Sequence, residues 1–335
     1  MIGPEAFLSQ GESVRSLIEQ IQEQRINHAV LISGESGTGK WTLAQGLAAA
    51  LLCRGQGPKP CGKCRACLQM EELAHPDVIV LEKGKHLRRE DEGKRNITIG
   101  DIREMILQTA QHGMEGDRRV VLIRHAEDMQ DPAQNALLKI LEEPPEGTCF
   151  LMTTKQPGML LPTVISRCRP LKLRPWTESE LEAMLAQRGI DAETARKAAR
   201  EADGSIGQAI ALTENEEYWQ FRQEVIQDWI NCPTRSDIIQ VSGKWANRKD
   251  EGEAAISMLE RIFSRMMRRS LRVTQEGAET GLPEKWMRFE ERATPGDYVR
   301  ILDGIALTRE RLSRNVSLSA AMEQLLLLLM EASGK

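Results

Sequence analysis

Short continuous apolar runs and stretches of helical spacing alternate through the first half of the chain. Residues 12–24 place Val14, Leu17, Ile18 and Ile21 on one face at the helical period, which predicts an amphipathic helix. His28-Ala-Val-Leu-Ile-Ser33 then reads as a short strand, and residues 40–53 return to helix with Leu43, Leu47, Ala50 and Leu51 inward. Asp77–Glu82 and Arg119–Arg124 read as further strands, the latter central because its interior is continuously apolar. A charged stretch over 83–96 reads as an exposed, mobile loop, followed by a helix over 99–112. A helix over 131–141 carries Ala133, Ala136, Leu137 and Ile140 on one side and stops at Glu143-Pro144-Pro145, since proline cannot extend it. Cys149–Thr153 is a fourth strand, and the alternation predicts an α/β domain built on a mostly parallel sheet.

Beyond that strand only the helical period remains. Thr177-x-x-Glu180 is a capping box opening a helix that closes near Gly189. Residues 192–202 and a segment capped by Ser205, with Ile206, Ala209 and Ile210, complete a small helical domain. From about 215 every long segment is helical: 216–231, 235–247, 252–272, 296–313 and 317–332, with 273–295 expected as the main loop of this last domain.

Composition narrows the class. A chain of 335 residues suggests two or three domains, and scarce aromatics beside plentiful Leu, Ala, Glu and Arg favour helices. The net charge of −4 excludes a global basic footprint for nucleic acid. Met1–Gln10 has no apolar signal region, and the longest apolar run, Leu325–Met330, falls far short of the ~20 residues a membrane span needs, so a cytoplasmic protein is expected. Of seven cysteines, four lie between 53 and 67, with Cys149, Cys168 and Cys232 scattered. Such clustering without a signal region suggests a metal site and not disulfides.

Chemistry concentrates in a few segments. Gly34-Glu-Ser-Gly-Thr-Gly-Lys40 follows a strand and opens a helix, the context of a phosphate-binding loop. Gly34, Gly37 and Gly39 free backbone N–H groups to converge on a phosphate, and Lys40 would reach the outer phosphates. Trp41, however, stands where a Ser or Thr hydroxyl would hold Mg²⁺. Thr42 does not rescue it, because one helical residue turns the side chain by about 100°. At the end of the third strand, Arg124-His125 replaces the carboxylates that would also hold Mg²⁺. Two readings of the loop stay open, an inherited structural turn and weak ATP or ADP binding.

Cys53, Cys61, Cys64 and Cys67 have the spacing of a tetrathiolate structural zinc site, with an iron–sulfur cluster as the competitor. Ser166-Arg167-Cys168 is weak alone, since a surface ion pair would explain Arg167 equally well. Arg261, Arg265, Arg268, Arg269 and Arg272 share a helical face that could meet DNA phosphate, or could be a solvated face or subunit contact.

Together these segments resemble the clamp-loader ATPases of bacterial DNA polymerase III, within the AAA+ family. The resemblance rests on His28-Ala29, the glycine loop, the four-cysteine insertion, Asn135-Ala-Leu-Leu-Lys-x-Leu-Glu-Glu-Pro-Pro145, Ser166-Arg167-Cys168, and Asn315-Val316 before a Leu-rich last helix. It covers essentially the whole chain. It implies an AAA+ P-loop domain over 1–172 with a zinc module at 53–67, a helical lid over 173–213, and a helical collar or oligomerisation domain over 214–335.

Motor subunits of gamma or tau type keep a complete loop, an Asp-Glu pair and an Arg in a Gly-Ser-x-Arg segment. This chain has Trp41, Arg124-His125 and Gly207 there, so it looks like the subunit type that shares the fold without hydrolysing ATP. In that type the Arg of Ser-Arg-Cys is an arginine finger for the neighbour's ATP, a role carried here to Arg167. Thr153 and Thr154 match a nucleotide-sensing position. The implied partners are gamma/tau- and delta-type subunits and, through the complex, the sliding clamp and primed DNA. The alternatives are an active gamma/tau-type ATPase, where the chain's ending soon after its collar-like helices counts against the tau form, and a zinc-dependent or redox-sensing adaptor with an incidental P-loop-like segment.

Overall fold

The computed structural model describes residues 3–23, 27–88, 96–110, 118–231, 234–271 and 281–334. They form two compact units, Met1–Ile210 and Ala211–Lys335.

The first unit opens with a 3₁₀ turn, Pro4–Gln10, and α1, Glu12–Gln22, which buries the apolar face expected of it. Then come β1 (Ala29–Ser33), α2 (Lys40–Leu52), α3 (Arg65–Glu71), β2 (Val78–Leu81), α4 (Ile99–Thr109) and β3 (Arg119–Ile123). α5 (Asp131–Glu142), β4 (Thr148–Thr154), the short α6 (Pro162–Ile165) and β5 (Arg169–Lys172) complete the sheet region. All five strands are parallel, in the order β2-β3-β4-β1-β5. β3 and β4 are buried along their whole length, as strands covered on both faces must be. Because β4 lies between β1 and β3, the carboxyl ends of three adjacent strands bring the glycine loop, Thr153 and Arg124 together. Crevices beyond the carboxyl ends of parallel strands are where α/β sheets bind ligands. α7 (Glu178–Ala186), α8 (Ala192–Glu201) and α9 (Ile206–Thr213) follow.

In the second unit, α10 (Glu216–Val225) runs on through a π turn at Ile226–Ile230. α11 (Arg235–Trp245), α12 (Lys249–Ser270), α13 (Glu284–Arg292), α14 (Pro295–Ser313) and α15 (Leu318–Gly334) surround an aromatic core. Trp229 meets Trp245 edge-on at 5.3 Å, and Phe263, Trp286, Phe289 and Tyr298 form a chain with centroids 5.0, 5.1 and 5.4 Å apart. No described helix is long and apolar enough to cross a membrane.

Three expectations need correction. The interval 273–295 is not all loop, because Glu284–Arg292 is helical and buries Trp286 and Phe289. β5 and α3 went unanticipated, being short and rich in polar residues. The arginine face of α12 is turned largely inward: Arg265 is 2% exposed, Arg269 pairs with Glu290, and Arg261 donates to the Tyr218 hydroxyl at 3.4 Å. These contacts tie α12 to α10 and α13. Arg272, Cys232, residue 24 of the first predicted helix, residues 111–112 of the helix predicted over 99–112, 89–95 of the charged loop and 273–280 of the predicted last-domain loop lie outside the described residues.

Candidate functional site

The glycine loop has the shape its residues demand. Gly34, Gly37 and Gly39 have φ of 151°, 76° and 89°, values that side-chain-bearing residues rarely adopt. Space excludes larger residues as well: a Cβ on Gly37 would sit 1.8 Å from Ser205 Oγ, and one on Gly39 would sit 2.9 Å from the Phe7 ring. Trp176 Nε1 donates to the Thr38 carbonyl at 3.0 Å, and Gly207 N–H donates to the Gly37 carbonyl at 3.3 Å. Phe7, Trp176 and Ser205 thus brace the loop; Phe7 and Trp176 carry no motif that would have flagged them, and Ser205 was legible only as a helix cap and as the Ser of the Gly-Ser-x-Arg segment.

Lys40 is 7% exposed, and its Nζ donates to the carbonyls of Gly34 at 2.8 Å and Glu35 at 2.6 Å. Burial lowers its pKa, against the field of Glu127 and Glu35. Glu127 accepts from Lys155 N–H at 3.2 Å and lies 3.5 Å from His125 Nδ1. Burial raises the Glu127 pKa, but hydrogen bonds from the backbone and Thr154 outweigh it and keep the group a carboxylate. Its other oxygen, Oε2, is buried with no hydrogen-bond partner.

Trp41 and Arg124, the residues at the two positions where sequence reasoning expected metal ligands, lie against each other. The guanidinium lies 5.4 Å from the centre of the indole ring and pairs with Glu82 Oε2 at 3.1 Å. Glu82 also pairs with Lys85, and although burial opposes ionisation, these two cations pull its pKa down. His125 has φ 54° and donates its N–H to Thr153 Oγ1 at 3.2 Å. No carboxylate stands at either expected metal-holding position. A Cβ on Gly207 would meet Gly37 Cα at 3.8 Å and Gly37 O at 3.9 Å, ordinary contacts, so backbone packing does not require glycine there.

Arg167 lies just after α6, where its guanidinium donates to the Thr163 carbonyl at 2.9 Å and pairs with Glu142 at the end of α5. Its side chain is 32% exposed. Glu142 belongs to the Glu-Glu-Pro-Pro stop, so two sequence motifs meet in one ion pair.

The four cysteines converge. Their Sγ atoms all lie within 4.8 Å of one another, with Cys61–Cys67 at 4.0 Å and Cys64–Cys53 at 3.9 Å. A tetrahedral zinc with Zn–S bonds near 2.3 Å places its sulfurs about 3.8 Å apart, which this donor set fits. Backbone N–H groups of Cys61 and Cys64 point at Cys53 Sγ and Cys61 Sγ at 3.3 and 3.4 Å, the contacts a thiolate favours. The Gln22 amide clasps both backbone polar groups of Lys59, tying the module to α1.

A family profile described as "DNA polymerase III, delta subunit" matches residues 9–177. The DNA polymerase III subunit delta' of Bacillus subtilis is 27% identical over 327 residues, covering 95% of each chain. That of Escherichia coli is 37% identical over 213 residues, covering 63% of this chain and 61% of the other. The subunit tau/gamma of Haemophilus influenzae is 31% identical over 214 residues, covering 62% of this chain and 30% of its own length. The chain belongs to the DNA polymerase III delta-subunit family that the profile describes, alongside relatives named delta'.

Proposed function

We propose that this protein is a clamp-loader subunit that does not hydrolyse ATP and lends Arg167 to the ATP site of a neighbouring subunit. The observation that carries it is the Trp41–Arg124 pair, which puts an indole and a cation where Mg²⁺ ligands would have to be. Phosphoryl transfer relies on that metal to neutralise charge on the transferred phosphoryl group. An arginine finger needs no local metal, since it acts on a transition state held elsewhere. Arg167 suits this role because, among the described residues, its guanidinium bonds only to the Thr163 carbonyl and to the exposed Glu142, and an exposed ion pair is worth ~0–1 kcal/mol and parts easily.

In this reading 1–172 is the AAA+ domain with a structural zinc in the 53–67 module, 173–213 the lid, and 214–335 the collar. The partners are gamma/tau- and delta-type subunits, and the complex, working in the cytoplasm, places a sliding clamp on primed DNA. A gamma/tau-type motor is disfavoured by Arg124 itself. The purified chain, assayed with ATP and Mg²⁺ in the presence and absence of DNA, is expected to turn over no ATP above background. Robust turnover by the chain alone would overturn the reading.

A further inference from the structure

The chain as a whole carries a net charge of −4, so a surface for a polyanion has to be local. The cysteine module is such a place. Between Cys53 and Met70 the sequence holds Arg54, Lys59, Lys63 and Arg65 and no Asp or Glu; the carboxylates that bracket this stretch are Glu35 and Glu71. Arg54, Lys63 and Arg65 are exposed, and Lys59 is half-buried. A tetrathiolate zinc would carry about two negative charges, which four cations more than offset.

Covalent order holds these cations close together. Arg54 follows Cys53, and Lys63 and Arg65 flank Cys64. The sulfurs of Cys53 and Cys64 are 3.9 Å apart, so three exposed cations are attached to neighbouring points of one small core. The Arg54 backbone N–H also reaches the Cys64 sulfur. Arg54 and Arg65 line one cleft of about 400 Å³ with Cys64 and Ala66. Guanidinium groups grip phosphate oxygens with paired donors, and lysine adds a point charge. The module's surface is also open to a large partner, since a Cβ on Gly57 or Gly62 would meet nothing within 4 Å.

We propose that the cysteine module contacts the phosphodiester backbone of duplex nucleic acid, with Arg54, Lys63 and Arg65 on the phosphates. The contact is independent of base sequence, because it reads only the backbone. Duplex is favoured over single strand for two reasons. No residue from Cys53 to Met70 is aromatic, so the stacking that single-strand sites rely on is missing. A duplex also packs its phosphate charge more densely along its axis. This surface is separate from Arg167 and needs no ATP, so it stands or falls apart from the function proposed above.

The test is fluorescence anisotropy of a short labelled DNA duplex titrated with the full chain over a range of salt concentrations. Binding is expected at low salt. Three phosphate contacts predict a slope of log K against log salt near −2.7, so a tenfold rise in salt should weaken binding by roughly 500-fold. The triple variant Arg54→Gln, Lys63→Gln, Arg65→Gln should lose most of that slope, with zinc content and thermal midpoint as in wild type. Should the triple variant shed its metal, Lys63→Gln alone is expected to make the slope shallower by about 0.9. Arg288→Gln with Arg300→Gln, two exposed cations of the second unit, should leave it unchanged. No binding at low salt, an unchanged slope in the folded module variants, or tighter binding of a single strand of equal length would overturn the proposal. Polyglutamate binding more tightly than the duplex would overturn it as well, and would assign the surface to an acidic protein.

Discussion

A guanidinium at position 124 needs a counter-charge and a surface, and the fold provides Glu82 at 3.1 Å and the Trp41 ring at 5.4 Å. The two departures from a metal site therefore sustain each other. Sequence alone showed both residues as losses, and Glu82, some forty positions upstream of Arg124, carried no signal of its part. The Thr177–Glu180 capping box was legible, but Arg174 on the same glutamate was not. Its hydrogen bonds, aided by those of Thr177, outweigh burial and hold the Glu180 carboxyl down at about 2, against an ordinary 4.5. A depressed carboxylate pKa adds stability that is full above about pH 4.5 and is lost as pH falls towards 2. Both side chains are part-exposed, so the effect is small. Denaturant unfolding of Glu180→Gln should show a shallower loss of stability over that interval than wild type. Parallel curves would remove Glu180 from the acid response.

Elements with long, clean periodicity were readable, because one buried face leaves a repeated mark. α1 shows Val14, Leu17, Ile18 and Ile21 buried, as their spacing required. Short elements whose burial comes from tertiary packing leave no such mark. β5 contains Arg169, Pro170 and Lys172 and is a strand only because β1 lies beside it. α13 has a strongly polar outer face, and its helix forms because Trp286 is buried, with its Nε1 donating to the Ile230 carbonyl at 2.9 Å. α3 starts at the cysteine module, with Cys64 as its N-cap residue and Cys67 within it. Two of the four sulfurs are thus placed by one helix start, and the metal site and the helix should fail together. Wild-type protein is expected to carry one zinc per chain by metal analysis. Cys64→Ser should lose it and become open to proteolysis within 53–67. Metal-free wild-type protein, or zinc retained in the variant, would contradict the tetrathiolate site.

At the scale of the whole molecule, the chain has an α/β unit that carries the glycine loop and a second, helical unit built on its own aromatic core. The parallel sheet follows from the strand–helix alternation, and the strand order places three strand ends at one crevice. The pairing of Arg167 with Glu142 could not be read from either motif alone, because it depends on α5 and α6 packing side by side. The proposed contribution of this protein to ATP hydrolysis is made in a neighbour's site through Arg167. It is tested most directly by steady-state ATP hydrolysis of the complex reconstituted with Arg167→Ala, with assembly verified by gel filtration. Turnover at the one interface this arginine serves is predicted to fall by ~10³, seen as a partial loss of total activity with assembly intact. Unchanged hydrolysis by a fully assembled variant complex would contradict the account.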